Sequence, residues 1–206
     1  IDEILFWLSE LKSRYELQVD QIPLKAVTDW RVTATEIARE DRRFFRVLGV
    51  RVSIESREVK TWCQPIVEPM QEGLCAFILK KIDGLCHFLV QAKIECGNFD
   101  VVEMAPTVQC LTADYQSPHV IKPPFLEYVL QASAAQIRFD TWQSEEGGRF
   151  FHEQNRNLLV EADSSFPDRI PENYHWLTLG QIKEFLRYNN YLNIQARSLI
   201  AALDYR

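Results

Sequence analysis

GLCAFILKKIDGLCHFLVQAKIE, residues 73–95, decides how this chain is read. Two apolar runs flank Asp83-Gly84, a dipeptide that tolerates the positive φ of a tight hairpin turn. The stretch therefore predicts two adjacent strands. After Val90 the second run changes character. Gln91, Lys93 and Glu95 alternate with Ala92 and Ile94, so an amide, a cation and a carboxylate share one face at roughly 7 Å spacing. The following residues, 96–109, add Asn98 and Gln109 to a segment that otherwise looks like core. Polar side chains at core-like positions cost free energy unless they are paired or used.

Working outward, Ile1, Ile4, Leu5, Leu8, Leu11 and Tyr15 recur at helical spacing and predict an amphipathic helix over 3–17. Phe6 and Trp7 lie off that stripe and are offered to a partner subunit. RFFRVLGVRVSI (43–54) and EVKTWCQPIV (58–67) read as strands, the second interrupted by Pro65. DVVEMA and TVQCL follow the hairpin, separated by Pro106. SPHVIKPPFLEYVLQ begins as a proline-rich loop and becomes a short helix. QIRFDTWQSE (136–145) and FFHEQNRNLLVEA (150–162) read as strands around an EEGGR loop. Thr178 and Gln181 have the spacing of a capping box, and Asn193 is placed to cap the last helix. The expected architecture is α+β over 1–206: an N-terminal helix to residue 18, a sheet core over 19–170, largely antiparallel, and C-terminal helices over 171–206.

A net charge of −6 argues against a nucleic-acid scaffold, which needs a basic face. LCAFIL (74–79), among the longest apolar runs, is far short of the roughly 18 residues of a membrane span. The five cysteines form no CxxC pair, which suggests reduced thiols in a cytoplasmic protein. The first residue is Ile rather than Met, so we expect a piece of a longer chain. No dinucleotide fingerprint, P-loop, nucleophile elbow or metal-ligand spacing is present, and we expect no metal site.

A second polar line runs through DTWQSEEGGRFFHEQNRNLL. Gln143 and Glu145 end one strand, Gly147-Gly148 permits close backbone approach, and Arg149 follows. Asn155 and Asn157 share a face of the next strand, with Arg156 on the other. If these strands neighbour the first polar line, they form a wall suited to a hydroxylated, anionic ligand such as a nucleotide sugar. The same inventory also describes a solvated sheet face, with Lys93 paired to Glu95, Arg149 paired to Glu146, and Asn98 holding a turn.

LVQAKIECGN, APTVQCLTADY, FLEYV, WQSEEGGRFFHEQNRN and HWLTLGQIKEFLRYNNYLNIQARSLIAAL occur in that order. Together they resemble the nucleotide-sugar 2,3-dehydratases of deoxysugar biosynthesis, over about residues 20 to 203. The resemblance implies a Nudix-like fold and a dTDP-4-keto-6-deoxyglucose substrate. It also implies loss of water across C2 and C3 to a 3,4-diketo-2,6-dideoxy sugar, with no cofactor. The Nudix box itself is missing, which disfavours magnesium-dependent diphosphate hydrolysis.

On those motif positions, Glu145 or Glu95 is the expected base, and Lys93, Asn155 or Tyr115 would hold the enolate or protonate the leaving group. Arg149 and Arg156 would meet the diphosphate and Trp142 or a tyrosine would stack on thymine, with Gln91, Asn98, Gln109, Gln143 and Asn157 completing the substrate wall. Three departures from the family pattern matter. Only one module is present where two in tandem are usual, so a homodimer or a second homologous module is expected to complete it. Cys96 stands in a usual proline position, and Glu146-Gly147-Gly148 replaces a more typical Gln-Gly-Ser. A non-catalytic sugar-nucleotide-binding or dimerisation module is the alternative reading.

Overall fold

Asp83 and Gly84 both take positive φ, 49° and 83°, the geometry that matches hairpin turn to strand twist. They fold Gly73–Ile82 back against Leu85–Lys93. The computed structural model describes residues 1–115 and 121–203, with the backbone alone at Ala113 and Asp114. Residues 117–120 of the expected proline-rich loop lie outside the described residues.

In chain order the elements are α1 (Asp2–Arg14), β1 (Trp30–Val32), β2 (Glu36–Arg39), β3 (Phe45–Ser53), β4 (Thr61–Pro69), β5 (Gly73–Ile82), β6 (Leu85–Lys93), β7 (Glu103–Ala105), β8 (Val108–Leu111), α2 (Leu126–Leu130), β9 (Ile137–Ser144), β10 (Gln154–Glu161), β11 (Tyr174–Thr178), α3 (Leu179–Phe185) and α4 (Ile194–Ala201). The class is α+β, as expected, but the strands form two sheets. β1-β2-β3-β4 make an antiparallel four-stranded sheet. The larger sheet runs β11-β6-β5-β10-β9, with β7 added to β6 and β8 to β5. Its β5–β10 pairing is parallel.

The larger sheet contains a fork. β5 and β6 pair only from Ile78↔Leu89 to the turn. Below that point β5 pairs with β8 through Gly73–Ala76, and β6 pairs with β7 through Gln91–Lys93. Pro106-Thr107 joins β7 to β8 at the crotch. Thr107, 1% exposed, accepts a hydrogen bond from the Ile78 N–H at 2.9 Å and donates its hydroxyl proton to the Leu89 carbonyl. It supplies the two partners that the diverging strands lose, as buried backbone groups require.

Strand alternation sorts the core. Phe77, Leu79, Phe88, Val90 and Leu159 pack under α1, α3 and α4 with Ile4, Leu8, Leu11, Ile182 and Leu199. Leu74, Ala76, Ile78, Leu89, Leu158 and Val160 pack on the other face against Leu126 and Val129 of α2 and Phe166. The predicted capping box forms at Thr178–Gln181, and Asn193 caps α4 through the Ala196 N–H.

Three expectations change. Residues 174–178 are an edge strand of the larger sheet, inside the segment expected to be helical. Pro65 does not interrupt β4; as part of a strand at the sheet's edge, opposite Gly49, it needs no ladder donor. Trp7 stacks on His175 at 5.2 Å and donates to the Glu172 carbonyl, so it is used within the chain. Among the described residues no helix is long and apolar enough to cross a membrane.

Replacing Thr107 by Val keeps the shape and removes both bonds. We expect the unfolding free energy to fall by about 2–3 kcal/mol with an unchanged urea m-value. Thr107→Ser should recover most of that loss in the same titration.

Candidate active site

One face of the larger sheet turns from core to polar wall along its length. On β5, the face of Phe77 continues to Cys75; on β10, the face of Leu159 continues to Asn157 and Asn155. Register sets them side by side. Gln109, Cys75, Asn157 and Thr141 make one row, and Gly73, Asn155 and Gln143 the next. α4 lies over both regions: Ala196, Leu199 and Ile200 are buried in the core, while Gln195 and Ser198 line a cavity of about 440 Å³ with Cys75, Gln143, Glu145 and Asn157. A second cavity, of about 370 Å³, shares Cys75 and Gln195 with it and is lined by Lys93, Glu95, Gln109, Tyr115, Glu153 and Asn155. A third, of about 890 Å³, lies between β3 and the β9–β10 loop. Its walls are Val50, Val52, Ile66, Phe150, Phe151 and His152, and it shares Glu145 with the first cavity and Glu153 with the second.

Hydrogen bonds set the wall. Asn155, 8% exposed, donates its amide to Glu145 Oε1 at 2.7 Å. The other end of that amide lies over Gly73, where any Cβ would collide with Asn155 Oδ1. Glycine is therefore needed beneath the amide that fixes Glu145. The Asn157 amide donates to the Asn155 carbonyl at 2.9 Å. Gln109 is used at both ends: it accepts from Asn193 Nδ2 at 2.7 Å and donates to Glu95 Oε1 at 3.4 Å. Lys93 Nζ donates to the Gln109 carbonyl at 3.2 Å and sits 3.5 Å from Glu95. Burial pushes the Cys75 thiol up to about 12, so it serves as a small neutral floor and not as a thiolate. Gln143 Oε1 is buried with no hydrogen-bond partner among the described residues. A buried acceptor beside an open cavity suits a ligand hydroxyl.

Eight of the thirteen residues singled out from the sequence line the first two cavities through the wall itself: Glu145, Glu95, Lys93, Tyr115, Gln109, Gln143, Asn155 and Asn157. The structure places the other five apart from that wall. Arg156 makes a two-pronged pair with Asp140 at 2.9 and 2.7 Å, on the face opposite Asn155 and Asn157. That pair holds the Asp140 carboxyl below the usual range and engages the Arg156 guanidinium within the chain. Arg149 is an exposed side chain 3.3 Å from Glu146 and lines none of the three cavities. Asn98 donates to the Lys93 carbonyl at 3.3 Å and holds the turn after β6. Gln91 lies between β7 and β11, opposite Ala105 and Tyr174, and lines none of the three cavities. Trp142 borders the first cavity, but alternation with Gln143 turns its half-exposed ring to the Arg156 face.

The sequence reading missed Gln195, Ser198, Glu153 and Gly73. Gln195 and Ser198 carry a detectable signal, since three residues apart on a helix they share a face. Gly73 showed none, because its need arises from a side chain on another strand. Among the described residues no His/Cys/Asp/Glu cluster is placed to hold a metal ion.

The family model for NDP-hexose 2,3-dehydratase matches residues 1–203. The chain belongs to that family. It is 46% identical over 204 residues to the dTDP-4-dehydro-6-deoxy-α-D-glucopyranose 2,3-dehydratase of Saccharopolyspora spinosa, covering 98% of this chain and 42% of that protein. Proteins of the same description from Amycolatopsis orientalis and Streptomyces violaceoruber are 41% and 42% identical, with 43% and 45% of their lengths covered. The chain thus spans less than half the length of these NDP-hexose dehydratase relatives. Among solved structures it is similar to an ADP compounds hydrolase (TM-score 0.49, 13% identity, 85% of this chain and 92% of that one). It is also similar to RenU, a Nudix hydrolase from M. smegmatis (TM-score 0.38, 15% identity, 74% and 91%). At these scores the likeness carries no information about chemistry.

Gly73→Ala forces the Asn155 amide aside. We expect about 1–3 kcal/mol of destabilisation. Because both changes act on one contact, adding Asn155→Ala to it should cost much less than Asn155→Ala alone, a coupling that a double-mutant cycle of urea titrations measures.

Proposed function

We propose that this chain is a module of a nucleotide-sugar 2,3-dehydratase, a carbon–oxygen lyase acting on a dTDP-4-keto-6-deoxyhexose in the cytoplasm. The product is the 3,4-diketo-2,6-dideoxy sugar nucleotide. Membership of the family and the names of its relatives support the substrate class. The observation that carries the reading is the Glu145 carboxylate, held by the buried Asn155 amide at the junction of the cavities.

The C3 proton of a 4-keto sugar is acidic because it lies α to the ketone. Glu145 removes it, and the electron pair becomes a C3–C4 enolate. Lys93, the cation of the adjoining cavity, with Tyr115 beside it, stabilises the oxygen at C4. Glu95 is the weaker candidate for the base, since Lys93 and Gln109 already engage its carboxylate. The enolate then expels the C2 hydroxyl as water, and the 2-ene-3-ol tautomerises to the diketone. The sequence of steps is redox-neutral and asks for no redox cofactor. The amides of Gln143, Asn157 and Gln195 and the Ser198 hydroxyl form a wall without a cation, suited to sugar hydroxyls. A second homologous module or a second copy of the chain completes the assembly, a proposal supported by relatives more than twice as long.

The test is incubation with dTDP-4-keto-6-deoxyglucose in D₂O, followed by mass spectrometry and proton NMR. Wild-type protein should lose water to the diketo sugar. Glu145→Gln should lower turnover by about 10²–10⁴-fold, while dTDP affinity in calorimetry stays within about threefold. Unchanged turnover would remove Glu145 as the base. Binding by the wild type with neither water loss nor exchange at C3 would identify a binding module.

A further inference from the structure

The elimination needs an acid as well as a base, because hydroxide is a poor leaving group. The last ladder pair of β9 and β10 is Ser144↔Gln154. One step beyond, the Glu145 N–H donates to the Glu153 carbonyl at 3.0 Å. Glu145 and Glu153 therefore face each other across the strand ends, on the face that carries Gln143 and Asn155. Both carboxyls border the largest cavity, and each opens into one of the two smaller ones. Their surroundings differ. Glu145 accepts the Asn155 amide at 2.7 Å, which fixes the direction of its carboxylate. Among the described residues the Glu153 carboxyl meets no hydrogen-bond or ion-pair partner, and it is half-buried. Burial first, and then the charge of Glu145, push its carboxyl above the usual range. A half-buried carboxyl favoured in its protonated form, opposite a carboxylate oriented by an amide, has the form of a general acid beside a base.

Resting on the dehydratase reading above, we infer that Glu153 is a second catalytic carboxyl, the general acid that protonates the departing C2 hydroxyl. The step balances. The C3–C4 enolate re-forms the C4 carbonyl, its electron pair makes the C2–C3 double bond, and the C2–O bond breaks. The oxygen takes the Glu153 proton and leaves as water. Glu145 holds the proton from C3, so one proton passes back to Glu153 through solvent before the next turnover. With one carboxyl on each side of the ladder, base and acid approach the sugar from adjacent cavities.

Glu153→Gln separates the two proton transfers, because the base remains while the acid is lost. The experiment compares wild type, Glu153→Gln, Glu153→Asp and Glu145→Gln with dTDP-4-keto-6-deoxyglucose in D₂O, following deuterium at C3 by NMR and water loss by mass spectrometry. We expect Glu153→Gln to incorporate deuterium at C3 while losing water about 100-fold or more slowly than wild type. Glu153→Asp should regain part of the elimination, and Glu145→Gln should do neither. Water loss at the wild-type rate in Glu153→Gln overturns the acid role. So does the loss of C3 exchange together with elimination in that variant. A wild type that neither exchanges C3 nor loses water overturns the dehydratase reading itself, and the acid role with it. A turnover-competent wild type whose Glu153→Gln variant behaves in either of those two ways overturns the acid role alone and leaves the dehydratase reading standing.

Discussion

The hydroxyl of Thr107 permits the rest of the architecture. A hairpin that stays zipped has no room for a wall beside it. Here β5 and β6 part below Ile78 and Leu89, and Thr107 satisfies the two backbone groups exposed at the split. The opening admits β7 and β8, and β8 brings Gln109 beside Cys75. Buried backbone groups without partners each cost on the order of 1–3 kcal/mol. The divergence is therefore tolerable only with a short side chain that both donates and accepts, and threonine does so while keeping a methyl group for the core.

The polar wall is assembled by amides that bond in two directions. Gln109 connects α4, through the Asn193 cap, to Glu95 and so to Lys93. Asn155 connects Glu145 to the space above Gly73. Both residues thus hold other side chains of the wall in place. The helix that roofs the cavity and the carboxylates that line it share one hydrogen-bonded frame, and such frames gain from mutual polarisation in a low dielectric. Asn193 has a double task, since its oxygen caps α4 while its nitrogen fixes that helix to the sheet.

What the sequence revealed follows from how local the cause is. The Asp83-Gly84 turn, the Thr178–Gln181 box and the Asn193 cap depend on neighbours within four positions, and each is read directly. Alternation correctly separated Asn155 and Asn157 from Arg156. It could not show that Asp140, on the next strand, already occupies Arg156, nor that Glu153 faces Glu145, because both depend on register between β9 and β10. The second sheet escaped because β1 and β2 are only three and four residues long, too short for a period to show. Gly73 is the clearest case of non-local cause: its reason is a side chain that packs on it from the parallel strand β10.

That parallel pairing also orders events in folding. β5 and β6 join through a two-residue turn and form early, since closing a short loop costs little entropy. β10 reaches β5 only after β6 to β9 have been placed between them in the chain, and α4 arrives last of all. Within the β9–β10 hairpin Asn155 reaches Glu145 over only ten positions, whereas the β5–β8 and β5–β10 pairings that join the wall together are contacts of long sequence separation, which are the slow ones. During synthesis the hairpin emerges with Leu74, Ala76 and Cys75 uncovered on a strand whose later partner is still missing. The carboxylates meet within their own hairpin, but the cavity closes only when that hairpin reaches β5 and α4 covers it, so the enclosed space is the last feature of this molecule to exist.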